Sequence, residues 1–176
     1  MITLVLETGA GVSDANTYLL VADASAILDA FPVSYITAWT NASAEDKNDV
    51  LVLATRMFDD LIYFPRTVRT HFGQALHFPR IGMVDYDGYR VLPNTIPSFV
   101  KNATAQLALE MLREDRTLEP IRGISRASVG PLSVTFDTNQ AHLTRTLPRS
   151  VAQIVIPWGG VVRGLSGVKS VPLYRV

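Results

Sequence analysis

Ser43-Ala-Glu-Asp-Lys-Asn-Asp-Val-Leu-Val-Leu-Ala-Thr-Arg-Met-Phe-Asp-Asp-Leu-Ile-Tyr63 decides the fold class. Val50, Ala54, Met57 and Leu61, flanked by Leu51, Phe58 and Ile62, recur at the helical period. Ser43 with Asp46 three residues on resembles a capping box, Asp standing where Glu or Gln is usual. The pattern predicts a helix over roughly 44 to 63, which Pro65 ends. Upstream, Ala24, Ile27, Leu28 and Phe31 fall at helical spacing from Ala22 to Phe31, and Pro32 stops that helix. Before it lie a glycine-rich turn, Thr8-Gly-Ala-Gly-Val-Ser-Asp14, and a short extended segment, Ala15-Asn-Thr-Tyr-Leu-Leu20.

Downstream, residues 64 to 96 carry Pro65, Pro79 and Pro93, with Pro97 just beyond, and so read as a long irregular loop. Loops this long are usually functional. Phe64, Phe72, Phe78, Tyr86 and Tyr89 imply packing on the body or on a neighbouring subunit. A second strong helix starts at Ile96-Pro-Ser, its stripe formed by Val100, Ala103, Thr104, Leu107, Ala108, Met111 and Leu112, and is expected to end near Arg116. Past Pro120 the period changes to two. Ile121–Val129 and Leu132–Phe136 flank Gly130-Pro131 and predict a β-hairpin, with Arg122 and Arg126 on one face of its first strand. Pro148 to about Ile156 is a short helix.

The fold class is therefore mainly α with a β-hairpin, α+β. A small helical body with its loop covers 1–120, the hairpin 121–137, and a short helix with an extended C-terminal arm 138–176. From Gly159 to Val176 the arm has four glycines, one proline and eight large apolar residues without regular period. Eighteen residues span up to about 60 Å when extended. Two readings stand: docking on another chain through Val171, Leu173, Tyr174 and Val176, or a strand that completes the protein's own sheet.

Charge is polarised. Arg122, Arg126, Arg145, Arg149, Arg163, Lys169 and Arg175 face one acid, Asp137, beyond Pro120, a formal +6, while the first 119 residues carry −6 and the total is zero. Such a molecule can stack head to tail with copies of itself or turn one face to a polyanion. At 48% hydrophobic and 18% charged, the chain is apolar enough to expect some surface against a partner. Arg122, Arg126, Arg145 and Arg149 are the candidate contacts to DNA phosphates or to a neighbouring subunit.

Chemistry is hard to find. With no cysteine, thiolate metal sites, disulfides and thiol nucleophiles are excluded. His71 and His77, near Asp85 and Asp87, permit a metal or an acid/base pair only loosely, because His71, His77 and His142 lack ligand spacing. Asp85-Tyr-Asp-Gly88 opens like a calcium loop, yet Ile96 stands where the bidentate Glu belongs, so a tight hairpin turn fits better. The Gly-x-Gly at residue 9 lacks the rest of a phosphate cradle. No cofactor and no catalytic set is expected, although a hydrolase built on His71 or His77 with Asp85 is a conceivable third class. The N-terminus has neither the basic region nor the length of a signal or a membrane span, and a cytosolic origin is expected.

Five tracts resemble one family: Ala15-Asn-Thr-Tyr18; Ala54-Thr-Arg-Met-Phe-Asp59; Gln74-Ala-Leu-His-Phe-Pro-Arg80 with the Asp-Gly turn after it; Ile96-Pro followed by Ala105-Gln-Leu-Ala-Leu109; and Val129-Gly-Pro-Leu-Ser133. Together they are similar to tailed-phage head-tail adaptor proteins, a group also described as DnaT-like single-stranded-DNA-binding proteins. The resemblance covers about residues 13 to 136, with His77-Phe78 replacing a small residue and Trp. Beyond residue 140 only the general form agrees. The resemblance implies a ring, commonly of twelve copies, beneath the portal at the capsid vertex of the virion, assembled from subunits made in the host cytoplasm. Genomic DNA would pass through it without sequence readout, and a tail-side neck or tail protein would bind below. The implied portal-binding arm is Val168, Lys169, Val171, Pro172, Leu173, Tyr174, Arg175 and Val176. The alternative is a DnaT-like single-stranded-DNA-binding replication accessory, in which exposed aromatics such as Tyr86 or Tyr89 stack on bases.

Overall fold

The computed structural model describes residues 2–85, 87–113, 126–129, 132–135 and 147–162, the two central strands by backbone alone. Among the described residues, five helices and three two-stranded antiparallel pairs give an α+β architecture. Helix α1 is Val21–Leu28, α2 Val33–Asn41 and α3 Ala44–Leu61. Strands β1 (Ile62–Tyr63), β2 (Val68–Arg69) and β3 (Arg80–Ile81) precede α4, Ser98–Arg113. Then come β4 (Arg126–Val129), β5 (Leu132–Thr135), α5 (Arg149–Val155), a 3-10 turn over Ile156–Trp158, and β6 (Val161–Val162).

Helix α3 starts as its sequence dictates. The Ser43 hydroxyl accepts from the Asp46 N–H at 3.0 Å, and the Asp46 carboxylate accepts from the Ser43 N–H at 3.3 Å, so two orphan donors are satisfied reciprocally. Helix α4 is the hub, packed by α1, α2, α3 and α5. Its buried set spreads around most of the helix, including Val100, Ala103, Ala105, Leu107, Ala108 and Leu109, all fully buried. A helix apolar nearly all round belongs in the middle of a bundle, and alanines at 103, 105 and 108 let its neighbours approach. Thr104 survives there because its hydroxyl donates to the Val100 carbonyl at 2.8 Å.

Three sequence expectations need correction. Pro32 does stop α1, which ends at Leu28 rather than Phe31, but it also caps α2, to which no element was assigned; Ile36 and Trp39 are the buried residues of that helix. The loop from 64 to 96 is not wholly irregular: Val68 pairs with Ile81 and Arg69 with Arg80. The arm does not begin at Gly159. Val161 and Val162 pair with Tyr63 and Ile62, and Gly160 is packed so closely on Val155 that a methyl there would collide with its side chain. That start of the segment completes the body's own sheet, the second of the two readings; residues 163–176 lie outside the described residues.

The hairpin stands as expected, with Arg126 opposite Thr135 and Val129 opposite Leu132 around Gly130-Pro131. Residues 121–125 and 136 of the expected strands lie outside the described residues. The glycine-rich turn has a use the sequence did not reveal. Glu7, buried to 1% exposure, accepts from the N–H groups of Gly9 (2.8 Å), Gly11 (3.0 Å) and Val12 (2.7 Å). The protein's own carboxylate thus fills the ring of amides that an anion would otherwise take. Gly9, at φ 103°, lies against the backbone of Asn94, where any side chain would strike the Asn94 carbonyl oxygen.

Candidate interaction site on the clamped loop

Residues 64–93 form the segment whose exposed surface is least explained by the fold, and a single buried node holds it in place. The Tyr18 hydroxyl, from the segment before α1, donates to Asp59 Oδ1 at 2.7 Å and accepts from the Phe78 N–H at 3.1 Å. Asp59, in the last turn of α3, also accepts at Oδ2 from the His77 N–H at 2.9 Å, and His77 Nδ1 lies 3.8 Å from its Oδ1. Arg80 ties the loop's two limbs together, donating from Nε and Nη2 to the Thr67 hydroxyl and carbonyl (2.6 and 2.8 Å) and from Nη1 to the His77 carbonyl (3.1 Å). Inside the bend, buried Gln74 accepts from the His71 N–H and donates to the Leu76 and Pro79 carbonyls. The Phe78–Pro79 peptide is cis.

Three of the tracts that carried the family resemblance, around Tyr18, Asp59 and Gln74–Arg80, therefore meet at one point. The fourth joins them through packing. Phe78 has ring-centroid distances of 5.2 Å to Phe64, 5.9 Å to Phe99 and 6.1 Å to Tyr18, all edge-on, and Trp158 stacks on Phe99 at 4.6 Å. Edge-to-face geometry is the favoured arrangement for aromatic pairs. The node is structural: Tyr18 is fully buried and Asp59 is 8% exposed.

Burial sets the electrostatics here. Loss of water pushes the Asp59 carboxyl up to about 7, against the lowering effect of the Tyr18 and His77 hydrogen bonds and of Arg80, with Asp60 adding repulsion. Burial likewise pushes the Tyr18 hydroxyl well above its ordinary range and lowers the half-buried Arg80. A group titrating higher in the fold than near 4 in the unfolded chain stabilises most fully below pH 4 and loses that contribution as pH rises through 7. In Asp59→Asn the amide keeps an acceptor for the His77 N–H and donates to Tyr18. The stability of this variant relative to wild type should therefore rise by on the order of 2 kcal/mol between pH 5 and pH 8. Thermal melts of both chains across that range check it; parallel pH curves would contradict it.

Outside the node the loop turns apolar groups to solvent. Phe72 is 99% exposed, Tyr89 73%, Leu92 66%, Val68 62%, and Val84 and Ile81 about half. Val68 and Ile81 are cross-strand partners and share one face. The Asp-Gly turn forms as expected: Gly88 has φ 88°, the Asp85 N–H donates to the Tyr89 carbonyl at 2.8 Å, and Val84 bridges Arg90. Asp85 Oδ1 accepts from the Asp87 and Tyr89 amides, which closes the turn. The five loop aromatics divide, Phe64 and Phe78 being buried and Phe72 and Tyr89 exposed, while Tyr86 lies outside the described residues.

Exposed Arg66, Arg69 and Arg90 accompany the apolar groups. Residues 64–93 carry four arginines and two acids, whereas residues 2–63 and 94–113 carry four basic residues and ten acids. The charge asymmetry read between the chain's halves thus recurs inside the body. An open groove of about 330 Å³ runs beside this face, between Arg66, Met83, Asp85 and Trp158.

Two of the expected basic site residues, Arg126 and Arg149, are among the described residues. Arg149 is exposed in the first turn of α5, and Arg126 is placed by the β4 backbone alone. Arg122, Arg145 and the arm from Val168 to Val176 lie outside the described residues. His71 and His77 do not converge on Asp85: His71 packs over Gly11 and His77 faces Asp59. Among the described residues no group of three His, Cys, Asp or Glu could hold a metal, and no helix is long and apolar enough to cross a membrane.

A family model described as "Putative DnaT-like ssDNA binding protein" matches residues 2–176. No curated protein and no solved structure matches the chain.

Proposed function

Because the chain belongs to the family so described, two uses of its exposed face compete, and we propose that it serves as a non-catalytic structural subunit: a head-tail adaptor of a tailed-phage virion, placed as a ring between portal and tail around the DNA channel. The observation that carries this reading is the loop face. Aliphatic Val68, Ile81, Val84 and Leu92 stand exposed beside Phe72 and Tyr89, on a chain poor in charge. Large apolar side chains exposed together on one segment, with arginines among them, mark a protein contact. The family resemblance in the sequence supplies the identity of the assembly.

The second reading, a single-stranded-DNA-binding accessory, has the family's own description in its favour, which speaks for it more directly than for the adaptor. Phe72 and Tyr89 beside Arg66, Arg69 and Arg90 are the residues such a protein would use. Against it stands the charge of the body, since residues 2–113 hold eight basic and twelve acidic side chains, and non-specific DNA affinity comes mainly from phosphate neutralisation.

The adaptor reading assigns the portal contact to residues 168–176. Because Gly160–Val162 belong to the body, the informative truncation ends at Val162. The shortened chain should melt within a few degrees of the full one and lose co-sedimentation with cognate portal rings. Undiminished portal binding would remove the arm from the contact.

A further inference from the structure

The loop face and the outer ridge of α3 are complementary, and both are exposed on the same chain. Along α3, Glu45, Asp46, Asp49, Leu53, Arg56 and Asp60 are all exposed, and at 100° per residue they fall within a wedge of roughly 100°. The ridge carries four acids and one arginine around an exposed leucine. The loop face carries Arg66 and Arg90 with apolar Val68, Ile81 and Leu92, and Asp87 as its exposed acid, whereas Arg69, next to Val68 in β2, points to the other side of the strand pair and donates to the Gln74 carbonyl. Neither surface is covered by the other within one molecule.

We infer that the loop face of one copy docks on the α3 ridge of the next, a head-to-tail contact between identical subunits. This rests on the ring reading above and names the faces that meet. Two different patches joined in this way generate a closed ring when the rotation closes and a filament when it does not. Complementary charge sets partner and register, while the apolar centre, once dehydrated, holds the contact. The aliphatic share of the loop face favours protein over nucleic acid: a base stacks on an aromatic ring, which Phe72 and Tyr89 supply and the exposed Val68, Ile81, Val84 and Leu92 do not. The clamp at Asp59 gives the loop a fixed shape before docking, which lowers the ordering cost of association.

Charge exchange on the full chain tests this. One variant carries Arg66→Glu with Arg90→Glu, the other Asp49→Lys with Asp60→Lys, and each is compared with wild type by sedimentation velocity, free and with portal rings. Wild type should associate with a strength that falls with salt. Each variant alone should associate at least tenfold more weakly, because its two faces now repel. An equimolar mixture should recover wild-type association, since each altered face finds its complement on the other variant; that recovery also shows both variants to be folded.

Variants that assemble like wild type, or a mixture that stays dissociated, would overturn the contact. So would a wild-type chain monomeric both free and with portal. Portal rings that take up either variant alone as well as wild type would overturn the contact and leave the adaptor role standing. Portal that binds no wild-type chain would remove the adaptor role, while recovery of free association by the mixture would still support the contact. If the Arg→Glu variant loses binding to a labelled oligothymidylate but keeps its self-association, the face belongs to nucleic acid and the inference falls.

Discussion

Phe78→Ala should lower stability by about 3–5 kcal/mol, whereas Phe72→Ala, six residues away in the same loop, should change it by less than about 0.5 kcal/mol. Phe78 is 1% exposed and touches Phe64, Phe99, Tyr18 and Phe58. Removing its ring empties the junction of loop, α3 and α4, and deprives the Tyr18–Asp59 node of its cover. Phe72 at 99% exposure has no such contacts to lose. For a chain of this size the Phe78 change corresponds to a fall in melting temperature of roughly 10 °C. Thermal unfolding of the two variants side by side checks the contrast; equal shifts would mean that the loop is not anchored through Phe78. Phe72→Ala should instead appear in association, where its exposed ring acts.

Glu7→Ala should cost about 3 kcal/mol or more. Hydrogen bonds to a charged acceptor contribute about 1.5–3 kcal/mol each, and they are not fully additive. Three amides, those of Gly9, Gly11 and Val12, converge on this carboxylate. Removing it leaves them facing one another with no acceptor in a site that Asn94 and His71 pack closely. Glu7→Gln keeps one carbonyl oxygen but turns an NH2 group toward a donor, so it should fall between alanine and wild type. The damage should spread to the loop, because the Ala75 N–H donates to the Val12 carbonyl at 3.1 Å. Denaturant unfolding of the three chains orders them; an alanine variant as stable as wild type would mean that water replaces the carboxylate without loss.

The sequence made the helical body legible where local signals agreed. Helix α3 had its cap at Ser43 and its stripe from Val50 to Leu61; α4 had Ile96-Pro97 before it and an apolar stripe through Leu107. Helix α2 was missed for a physical reason. Val33, Ile36, Thr37 and Thr40 are β-branched and weak helix formers, so only Ile36 and Trp39 at i and i+3 mark its buried side, and Pro32 served as both stop and start. Packing on α4 decides that segment, together with the Trp39 Nε1 hydrogen bond to Ser25 Oγ at 3.1 Å.

The loop was legible as a functional segment but not in its division of labour. Nothing local distinguishes Phe78 from Phe72; contacts with Tyr18, sixty residues away, and with the rings of Phe58, Phe64 and Phe99 bury the first and leave the second outside. The same long-range pairing sent His77 to Asp59 rather than to Asp85, which lies closer in sequence. Glu7 has a readable signal, an acid just before a Gly-x-Gly turn, whose amides suit a carboxylate of the same chain as well as a phosphate. Of the expected basic residues, Arg122 and Arg145 lie outside the described residues, and the arginines of the exposed loop, Arg66, Arg69 and Arg90, sit in the acidic half of the chain, where the net charge conceals them.

The most direct measurement of the central claim is co-sedimentation of the full chain with its cognate portal ring, followed by electron microscopy of the pellet to count subunits, with a single-stranded oligonucleotide titrated in parallel at low and high salt. The adaptor account predicts a stoichiometric extra ring on the portal and only weak oligonucleotide binding. No uptake by the portal, alongside tight oligonucleotide binding that falls steeply with salt, would contradict it and establish the DNA-binding alternative.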